Sequence, residues 1–321
     1  MKILVTGGAG FIGSHLCERL VQDGHSVTVI DNFSTGRASN LVNLKGEKDF
    51  NLIEGSILDT NLLLPLIKDS EYIFHLAAAV GVFNIVKNPL ASLLTNIRGT
   101  ENILELAHST KTPVFLTSSS EVYGKNISDS LKESDDRILG SPVTLRWSYS
   151  EAKAIDESLA YAYFVEKQLE TRIVRFFNTV GPRQLGAYGM VVPRFVKSAL
   201  ANEPITIYGD GTQTRCFAHV YDVIDAVIAI AFADNTIGKV INIGNDFEIS
   251  VYNLAQKIIA EIGSKSEIVY VPYEEAYGDG FEDMERRVPN IDLINQLVGW
   301  KPKRDLTTMI SDISTEMKKN S

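Results

Sequence analysis

The residues best placed to do chemistry are a tyrosine and a lysine four positions apart, Tyr149 and Lys153, in the segment RWSYSEAKAIDESLAYAY (146–163). Four residues is about one helical turn, so the phenol and the ammonium can share a helix face. A phenol has an unperturbed pKa of about 10 and acts as a base near neutral pH only when a cation stabilises its phenolate. The pair is either a catalytic base with its cation or an ordinary aromatic and charge, and the spacing alone favours the second.

The elements that must position this pair alternate along the first half of the chain. Short β-rich apolar runs at 2–6, 26–30, 51–54, 72–76, 114–118 and 172–175 predict strands. Amphipathic segments at 13–23, 60–68, 90–108 and 149–167 predict the helices between them. This alternation is typical of βαβ units. The sequence therefore predicts an α/β fold with a Rossmann-type, doubly wound parallel sheet.

The composition of the chain changes after FFNTVGPR (176–183), where glycine, proline and arginine separate shorter predicted elements. This change predicts a smaller, discontinuous C-terminal lobe that binds substrate. Within it, a helical apolar pattern at 222–232 and a strand-like run at 239–244 indicate a return to the first lobe. We predict a first lobe of residues 1–178, rejoined by about 223–244, and a second lobe of residues 179–321.

A glycine-rich turn lies between the first predicted strand and helix, in VTGGAGFIGSHL. Gly7, Gly10 and Gly13 allow a tight turn, close approach of backbone N–H groups to a pyrophosphate, and tight helix–strand packing. Asp31 follows at the tip of the second strand, where a carboxylate accepts hydrogen bonds from an adenosine ribose. An aspartate there repels a 2′-phosphate and favours NAD over NADP, although the nearby Arg37 weakens this preference. The alternative is a glycine-rich turn that binds nothing.

Composition limits the classes of partner. The net charge of -9 argues against nucleic acid or an anionic membrane as the main partner. The longest apolar run, 226–233, is far too short to cross a bilayer. The two cysteines, Cys17 and Cys216, have neither metal-ligand spacing nor a disulfide pattern, so no metal site is predicted and a reducing, cytoplasmic location is expected.

Over essentially its whole length, the sequence resembles the extended short-chain dehydrogenase/reductases of the NAD-dependent epimerase/dehydratase family, which modify nucleotide sugars. The matching stretches are TGGAGFIGSHL, HLAA (75–78), TSSSEVYG (117–124), YSEAK, RFFNTVGPR and YGDGTQTRCFAHVYD (208–222). The resemblance implies NAD in the first lobe and a nucleoside diphosphate sugar, UDP-linked, in the second. It also implies oxidation of the sugar 4-hydroxyl, with Ser119, Tyr149 and Lys153 as the catalytic triad.

Two features narrow the resemblance. Ser120 and Glu121 follow Ser119, at positions where 4-epimerases usually have small or neutral residues. With a carboxylate at this position, the sequence resembles the sugar dehydratases and the UDP-glucuronate decarboxylases. The stretch 276–303 is similar to the UDP-glucuronate decarboxylase domain of the bacterial aminoarabinose pathway, whose catalytic arginine falls on Arg287. Arg287 is then expected to steer a carboxylate or an enolate, and Glu121 to organise the proton returned to carbon 5. The alternative is that these two residues form a structural ion pair.

The resemblance also assigns ligand contacts. Those expected for the nucleotide sugar are Asn178, Arg183, Val191, Val192, Arg194, Arg215 and Arg287. Those expected for the cofactor, besides the three glycines, Asp31, Tyr149 and Lys153, are Phe11, Ile12, Asn32, Ser56, Ile57, Leu76, Ala77 and Ala78. Ser56 stands where the family commonly has an aspartate that binds the adenine amino group, which predicts looser cofactor retention.

Three functional hypotheses follow from these residues. The leading one is a UDP-glucuronate decarboxylase, a lyase. The second is a UDP-glucose or UDP-glucuronate 4-epimerase, an isomerase, and the third is a non-catalytic dinucleotide-binding regulator, which the intact triad disfavours.

A homodimer is expected, through the apolar faces of the helices at 90–108 and 149–167.

Overall fold

A computed structural model describes residues 1–81, 87–186, 190–272, 275, 284 and 286–319. Its strands are β1 Lys2–Thr6, β2 Ser26–Asp31, β3 Phe50–Glu54, β4 Tyr72–His75, β5 Val114–Ser119, β6 Thr171–Phe176, β7 Thr179–Val180, β8 Ile205–Tyr208, β9 Thr214–Cys216, β10 Ala218–His219, β11 Val240–Ile243, β12 Glu248–Ser250 and β13 Ile268–Val271. Its α-helices are α1 Phe11–Gln22, α2 Thr60–Lys68, α3 Pro89–Thr110, α4 Ser148–Lys167, α5 Val191–Ala201, α6 Val220–Ala231, α7 Val251–Ile262, α8 Asp292–Val298 and α9 Leu306–Lys319.

A parallel sheet of seven strands forms the centre of the first lobe, in the order β11-β6-β5-β4-β1-β2-β3. The order reverses direction at β1, which is the topological switch point of a doubly wound sheet. At such a point the loops after neighbouring strands diverge and leave a crevice for a ligand. The predicted Rossmann-type α/β fold is confirmed.

Both faces of this sheet are buried. Side chains alternate along β1, so Ile3 and Val5 pack into a core with α1 and α6, whereas Leu4 packs into a second core with α2, α3 and α4. Burial on both faces explains why the strand is apolar throughout and not alternating. The alternating strands and helices of the sequence are thus the layers of one sandwich.

The second lobe has its own core, in which α5, α7 and α9 pack together and against the paired strands β8 and β13. The chain returns to the first lobe between these parts, since α6 packs beside α1 and β11 pairs with β6. Helix α8 also packs against α6 and β11. None of the described helices combines the length and the apolarity needed to cross a bilayer.

Candidate active site

A cavity of about 720 Å³ runs along the carboxyl ends of the sheet strands and into the second lobe. This volume is within the range of small-molecule and cofactor pockets. Every site residue expected from the sequence lines the cavity except Ser56. The cavity therefore brings together residues from both halves of the chain.

The glycine turn forms one end of the cavity. Gly7 has a φ of +71°, and a β-carbon added there would lie 2.7 Å from the backbone nitrogen of Ala77. A β-carbon at Gly13 would lie 2.3 Å from the carbonyl oxygen of Gly7. Helix α1 begins at Phe11 with Gly10 as its N-cap, two residues earlier than the sequence predicts, so Gly13 packs inside its first turn. The helix N-terminus is left open to a phosphate, and these residues fit a dinucleotide.

Asp31 is held in place by the backbone. Its two carboxylate oxygens accept hydrogen bonds from the N–H groups of Ala9 and Phe33, at 2.9 and 2.8 Å. Burial raises the pKa of Asp31, and the two N–H donors oppose that rise. Each oxygen keeps further acceptor capacity, so the carboxylate is fixed at the cavity wall before any ligand binds, and a contact with a ribose stays a prediction.

Ser56 is placed differently from the other expected cofactor contacts. Its neighbours Gly55 and Ile57 line the cavity, but the Ser56 hydroxyl accepts a hydrogen bond from the N–H of Leu58 at 3.2 Å. The side chain therefore caps the turn that leads into α2. An adenine contact through this hydroxyl stays a prediction.

Tyr149 and Lys153 both lie on the first turns of α4 and face the end of β5. The Lys153 ammonium donates to the carbonyl of Thr117 at 3.1 Å and to the carboxylate of Asp156 at 3.0 Å. The Ser119 hydroxyl lies near the Tyr149 phenol and lowers its pKa. The proposed triad is thus assembled at the bottom of the cavity.

The electrostatics around Tyr149 work in two directions. Burial raises the pKa of Tyr149 and is the largest influence, while the Lys153 ammonium lowers it. The carboxylates of Glu121 and Asp156 raise it further. Without a second cation the phenol stays protonated near neutral pH, which fits the expectation that an oxidised nicotinamide contributes the missing positive charge.

Glu121 is bound by two arginines from distant parts of the chain. Its oxygens accept hydrogen bonds from Arg146 at 2.6 Å and from Arg287 at 2.5 Å. Arg287 also donates to the side-chain oxygen of Asn178 at 2.8 Å. Burial alone would raise the pKa of Glu121, but the two guanidinium groups lower it to about 2. The ion pair weighed as the alternative in the sequence is present, and it lies in the same cavity as Tyr149.

Two short turns and two hydrogen bonds between segments hold this ion cluster in place. Glu121 lies in a short 3₁₀ turn directly after β5, and Arg146 in another directly before α4. The Ser150 hydroxyl fastens the two turns by donating to the Glu121 carbonyl at 2.7 Å. Arg287 precedes Val288, whose carbonyl accepts from the N–H of Leu131 at 2.8 Å. Of the stretch 276–303 used in the sequence analysis, residues 276–283 and 285 lie outside the described residues.

The arginines expected at the nucleotide sugar fall into two groups. Arg194 and Arg215 lie in the second lobe, where the Arg194 guanidinium stacks 4.2 Å from the ring centre of Tyr208. Arg183 instead reaches back to α1, where it pairs with Glu18 at 2.7 Å and donates to Ser14 at 3.2 Å. The structure therefore places Arg183 beside the cofactor end of the cavity.

The sequence does not predict the contacts of two residues in the site, Arg146 and Asp156. Arg146 belongs to the motif before Tyr149, but only the folded chain shows that it pairs with Glu121. Asp156 was not singled out, although a carboxylate three residues after a lysine in a helix is a pairing signal. Both side chains are buried and both contact a residue of the expected catalytic set.

The comparisons with known proteins agree with this geometry. Residues 3–244 match the family described as "NAD dependent epimerase/dehydratase family". The UDP-N-acetyl-alpha-D-glucosaminuronate decarboxylase of Bacillus cytotoxicus is 41% identical over 302 residues, covering 94% of this chain and 92% of the relative. UDP-glucuronic acid decarboxylase 1 of Xenopus tropicalis is 37% identical over 303 residues, covering 94% of this chain and 68% of the relative.

Solved structures of nucleotide-sugar enzymes are also similar to this chain. The UDP-glucuronic acid 4-epimerase of Bacillus cereus, in complex with UDP-glucuronic acid and NAD, has a TM-score of 0.89 and 30% identity, with 100% of both chains covered. The predicted NAD cofactor is confirmed by the family and by such NAD-bound structures. The chain belongs to the NAD dependent epimerase/dehydratase family, and it is an enzyme of that family.

Proposed function

We propose that this protein is an NAD-dependent decarboxylase of a UDP-linked hexuronate, either UDP-glucuronate or its 2-acetamido analogue. The observation that carries the proposal is the position of Arg287, a buried guanidinium that lines the same cavity as Tyr149. Its Nη2 donates one of its two N–H groups to the side-chain oxygen of Asn178 at 2.8 Å. A guanidinium with a further N–H donor, in the same cavity as the base, suits a substrate that carries a carboxylate.

The chemistry begins at the sugar 4-hydroxyl. Tyr149, as phenolate, removes the hydroxyl proton while the carbon–hydrogen bond at carbon 4 breaks with loss of a hydride. Ser119 holds the same oxygen by a hydrogen bond, and Lys153 stabilises the phenolate. Bound NAD supplies the hydride acceptor for this step. The product is a 4-keto uronate, in which the carboxylate on carbon 5 is β to the ketone.

A β-keto acid loses carbon dioxide when its carboxylate is oriented correctly. The bond between carbon 5 and the carboxyl carbon breaks, its electron pair moves into an enolate at carbons 4 and 5, and a proton from solvent water then adds to carbon 5. Arg287 orients the carboxylate before this step and stabilises negative charge at the enolate oxygen. Glu121, ionised because its pKa is about 2, anchors Arg146 and Arg287 and does not hold the proton itself while both pairs persist.

The alternative function is a 4-epimerase. One observation favours it: both oxygens of Glu121 are engaged by arginines, so this carboxylate is not arranged to deliver a proton to carbon 5. A 4-epimerase has no such proton to deliver, because it only returns the hydride to the opposite face of the ketone. The decarboxylase has the stronger support, since the relatives at 37% and 41% identity are named decarboxylases.

A product assay separates the two. The protein is loaded with NAD and incubated in parallel with UDP-glucuronate, UDP-N-acetylglucosaminuronate and UDP-glucose, and the sugar protons are followed by NMR. We expect a UDP-pentose, or its 4-keto form, and released carbon dioxide from one of the two uronates. Inversion at carbon 4 without loss of carbon contradicts the decarboxylase and supports the epimerase. The Arg287→Met variant is the control, and it should lower carbon dioxide release by about 10²-fold.

We propose in addition that the protein is a cytoplasmic homodimer. Ile155, Tyr161 and Val165 are exposed apolar or aromatic side chains on α4, which packs beside α3, and a second copy of this helix pair would cover them. Cys17 and Cys216 are buried free thiols, which suits a reducing compartment. Light scattering on the purified protein should give twice the chain mass, and Tyr161→Glu with Val165→Glu should give the monomer mass.

A further inference from the structure

Asp156 is a buried carboxylate beside the expected catalytic lysine. It is fully buried, Lys153 is 2% exposed, and their charged groups are 3.0 Å apart. An ammonium group has three N–H donors. Two of those of Lys153 bind the Thr117 carbonyl and Asp156, which leaves one for the cavity that Lys153 lines.

The groups around Asp156 make Lys153 its only cationic partner among the described residues. The neighbouring Glu157 has a guanidinium of its own, because Arg175 binds both of its oxygens at 2.9 and 2.7 Å. Burial raises the pKa of Asp156 and is the largest influence, while the Lys153 ammonium and, from α3, the Thr100 hydroxyl oppose that rise. Oδ1 has no partner of hydrogen-bond geometry in the described chain.

The remaining neighbours carry no positive charge that could replace Lys153. From β4, His75 bonds to Thr100 at 3.2 Å and to Thr6 at 2.8 Å. Burial and the Lys153 charge lower the pKa of His75 to about 3, so this ring is neutral. The Glu121 carboxylate, which also acts on Tyr149, is already matched by two arginines.

We propose that Asp156 is a positioning residue, which fixes the Lys153 ammonium against Thr117 and sets the pH range in which Tyr149 acts as a base. Its carboxylate offsets part of the lysine charge that the phenolate would otherwise feel. The site thus combines a firmly held cation with a tyrosine that stays protonated until NAD adds its own positive charge. The inference rests on the proposed roles of Tyr149 and Lys153, and not on whether the product is decarboxylated or epimerised.

The direction of the effect follows from charge. A carboxylate near a phenol raises the pKa of the phenol, and a carboxylate near an ammonium raises the pKa of the ammonium. In Asp156→Asn both pKa values fall. The acidic limb of the activity profile, where Tyr149 becomes ionised, and the basic limb, where Lys153 loses its proton, therefore both move to lower pH.

The test uses the NAD-loaded protein and two readouts. Phenolate absorbance of Tyr149 is obtained as the difference between titrations of each protein and its Tyr149→Phe counterpart, without any sugar. In Asp156→Asn we expect the midpoint to fall by about one pH unit, the shift typical of one nearby charge. The profile of kcat/KM with the sugar that turns over should shift in the same direction, with KM nearly unchanged.

Controls separate this role from a structural one. Glu166→Gln removes an exposed carboxylate from the same helix and should leave both readouts at wild-type values. Asp156→Glu keeps the charge and should keep the pH profile while lowering kcat. A lower kcat in Asp156→Asn with an unshifted profile overturns the proposal, as does an unshifted phenolate midpoint.

If Asp156→Asn is not recovered folded, Thr100→Val provides the second test. Loss of the hydroxyl disfavours the ionised Asp156 and should shift both readouts to lower pH by a smaller amount. An unshifted Thr100→Val protein then overturns the proposal. Because the phenolate titration needs no sugar, its result stands even if no uronate is turned over, so failure of this inference is distinguishable from failure of the proposed function.

Discussion

Two charged clusters lie near one another at the cavity, and they are built in opposite ways. The first, Tyr149, Lys153 and Asp156, lies within eight residues of one helix and faces the end of β5. The second, Glu121, Arg146 and Arg287, joins three segments separated by up to 166 positions in the sequence. Both clusters balance buried charges, yet only the first has its spacing fixed by local structure.

This difference indicates that the two clusters have different roles in the reaction. A cluster on one helix keeps its geometry whenever the helix forms, which suits proton and hydride chemistry with strict distance requirements. A cluster that joins three segments depends on the whole fold and can exchange partners when a ligand competes for one of its charges. We therefore assign the oxidation of the 4-hydroxyl to the first cluster and the handling of the carboxylate to the second.

The largest effect is expected from Tyr149→Phe, which removes the base and leaves the ring. We expect turnover to fall by roughly 10³-fold or more, because proton transfer by a positioned group contributes roughly 10²–10⁴-fold. NAD content should stay at the wild-type level, since the glycine turn and Asp31 are untouched. The measurement is product formation by NMR together with bound NAD by absorbance. A rate within tenfold of wild type would remove Tyr149 from its proposed role.

Arg287→Met should have the next largest effect, since it removes the guanidinium and keeps much of the side-chain volume. We expect carbon dioxide release to fall by about 10²-fold, the loss typical of one buried charged contact to a transition state. The matched control is Arg286→Met, one position earlier, because Arg286 pairs with Glu248 and lies exposed. Equal losses in the two variants would place the effect in the fold of this segment and contradict a contact between Arg287 and the substrate.

Glu121→Gln should affect stability most clearly. Removing this carboxylate leaves two buried arginines without their counter-charge, and we expect a loss of about 3 kcal/mol in the free energy of unfolding at pH 7. Because the pKa of Glu121 is lowered to about 2, its contribution is complete above the unfolded value of 4.5 and is lost as pH falls through 2.

The pH dependence of that loss is the check. Urea unfolding of wild type and Glu121→Gln should show a difference that narrows by about 1 kcal/mol between pH 7 and pH 4. Glu133→Gln serves as a control, because burial raises the pKa of this carboxyl and its contribution should change in the opposite sense. A difference that stays constant with pH would contradict the ion-pair description of Glu121.

Much of the first lobe could be predicted because its signals are local. Each of the six strands predicted in the first half of the chain corresponds to an observed strand with ends within one residue, since apolar runs between helices report burial on both faces of a parallel sheet. Helix α1 begins at Phe11 and not at Gly13, because the third glycine serves helix–strand packing inside the first turn.

The partners of the charged groups could not be predicted in the same way. The sequence allowed Glu121 and Arg287 to be either catalytic or paired, and their 2.5 Å contact exists because the strand-like pairing of Leu131 with residues 288–290 brings the chain back across the cavity. Arg183 illustrates the same point, since its guanidinium binds Ser14 and Glu18 of α1. No local pattern records which distant residue a long, flexible side chain will meet.

The sequence by itself determined the fold class, the cofactor, the family chemistry and the helix that carries Tyr149 and Lys153. The fold class and this helix depend on periodicity and on spacings within one turn of chain, where backbone geometry leaves few alternatives. The cofactor follows from the glycine turn with Asp31, and the family chemistry follows from the resemblance of longer stretches such as TSSSEVYG and RFFNTVGPR. Only the tertiary structure decided that Glu121 is held by two arginines, that Asp156 takes one donor of Lys153, and that Ser56 caps a turn. Those outcomes depend on burial and on contacts between distant segments, and the pKa of each group follows from that surrounding charge and not from its place in the sequence.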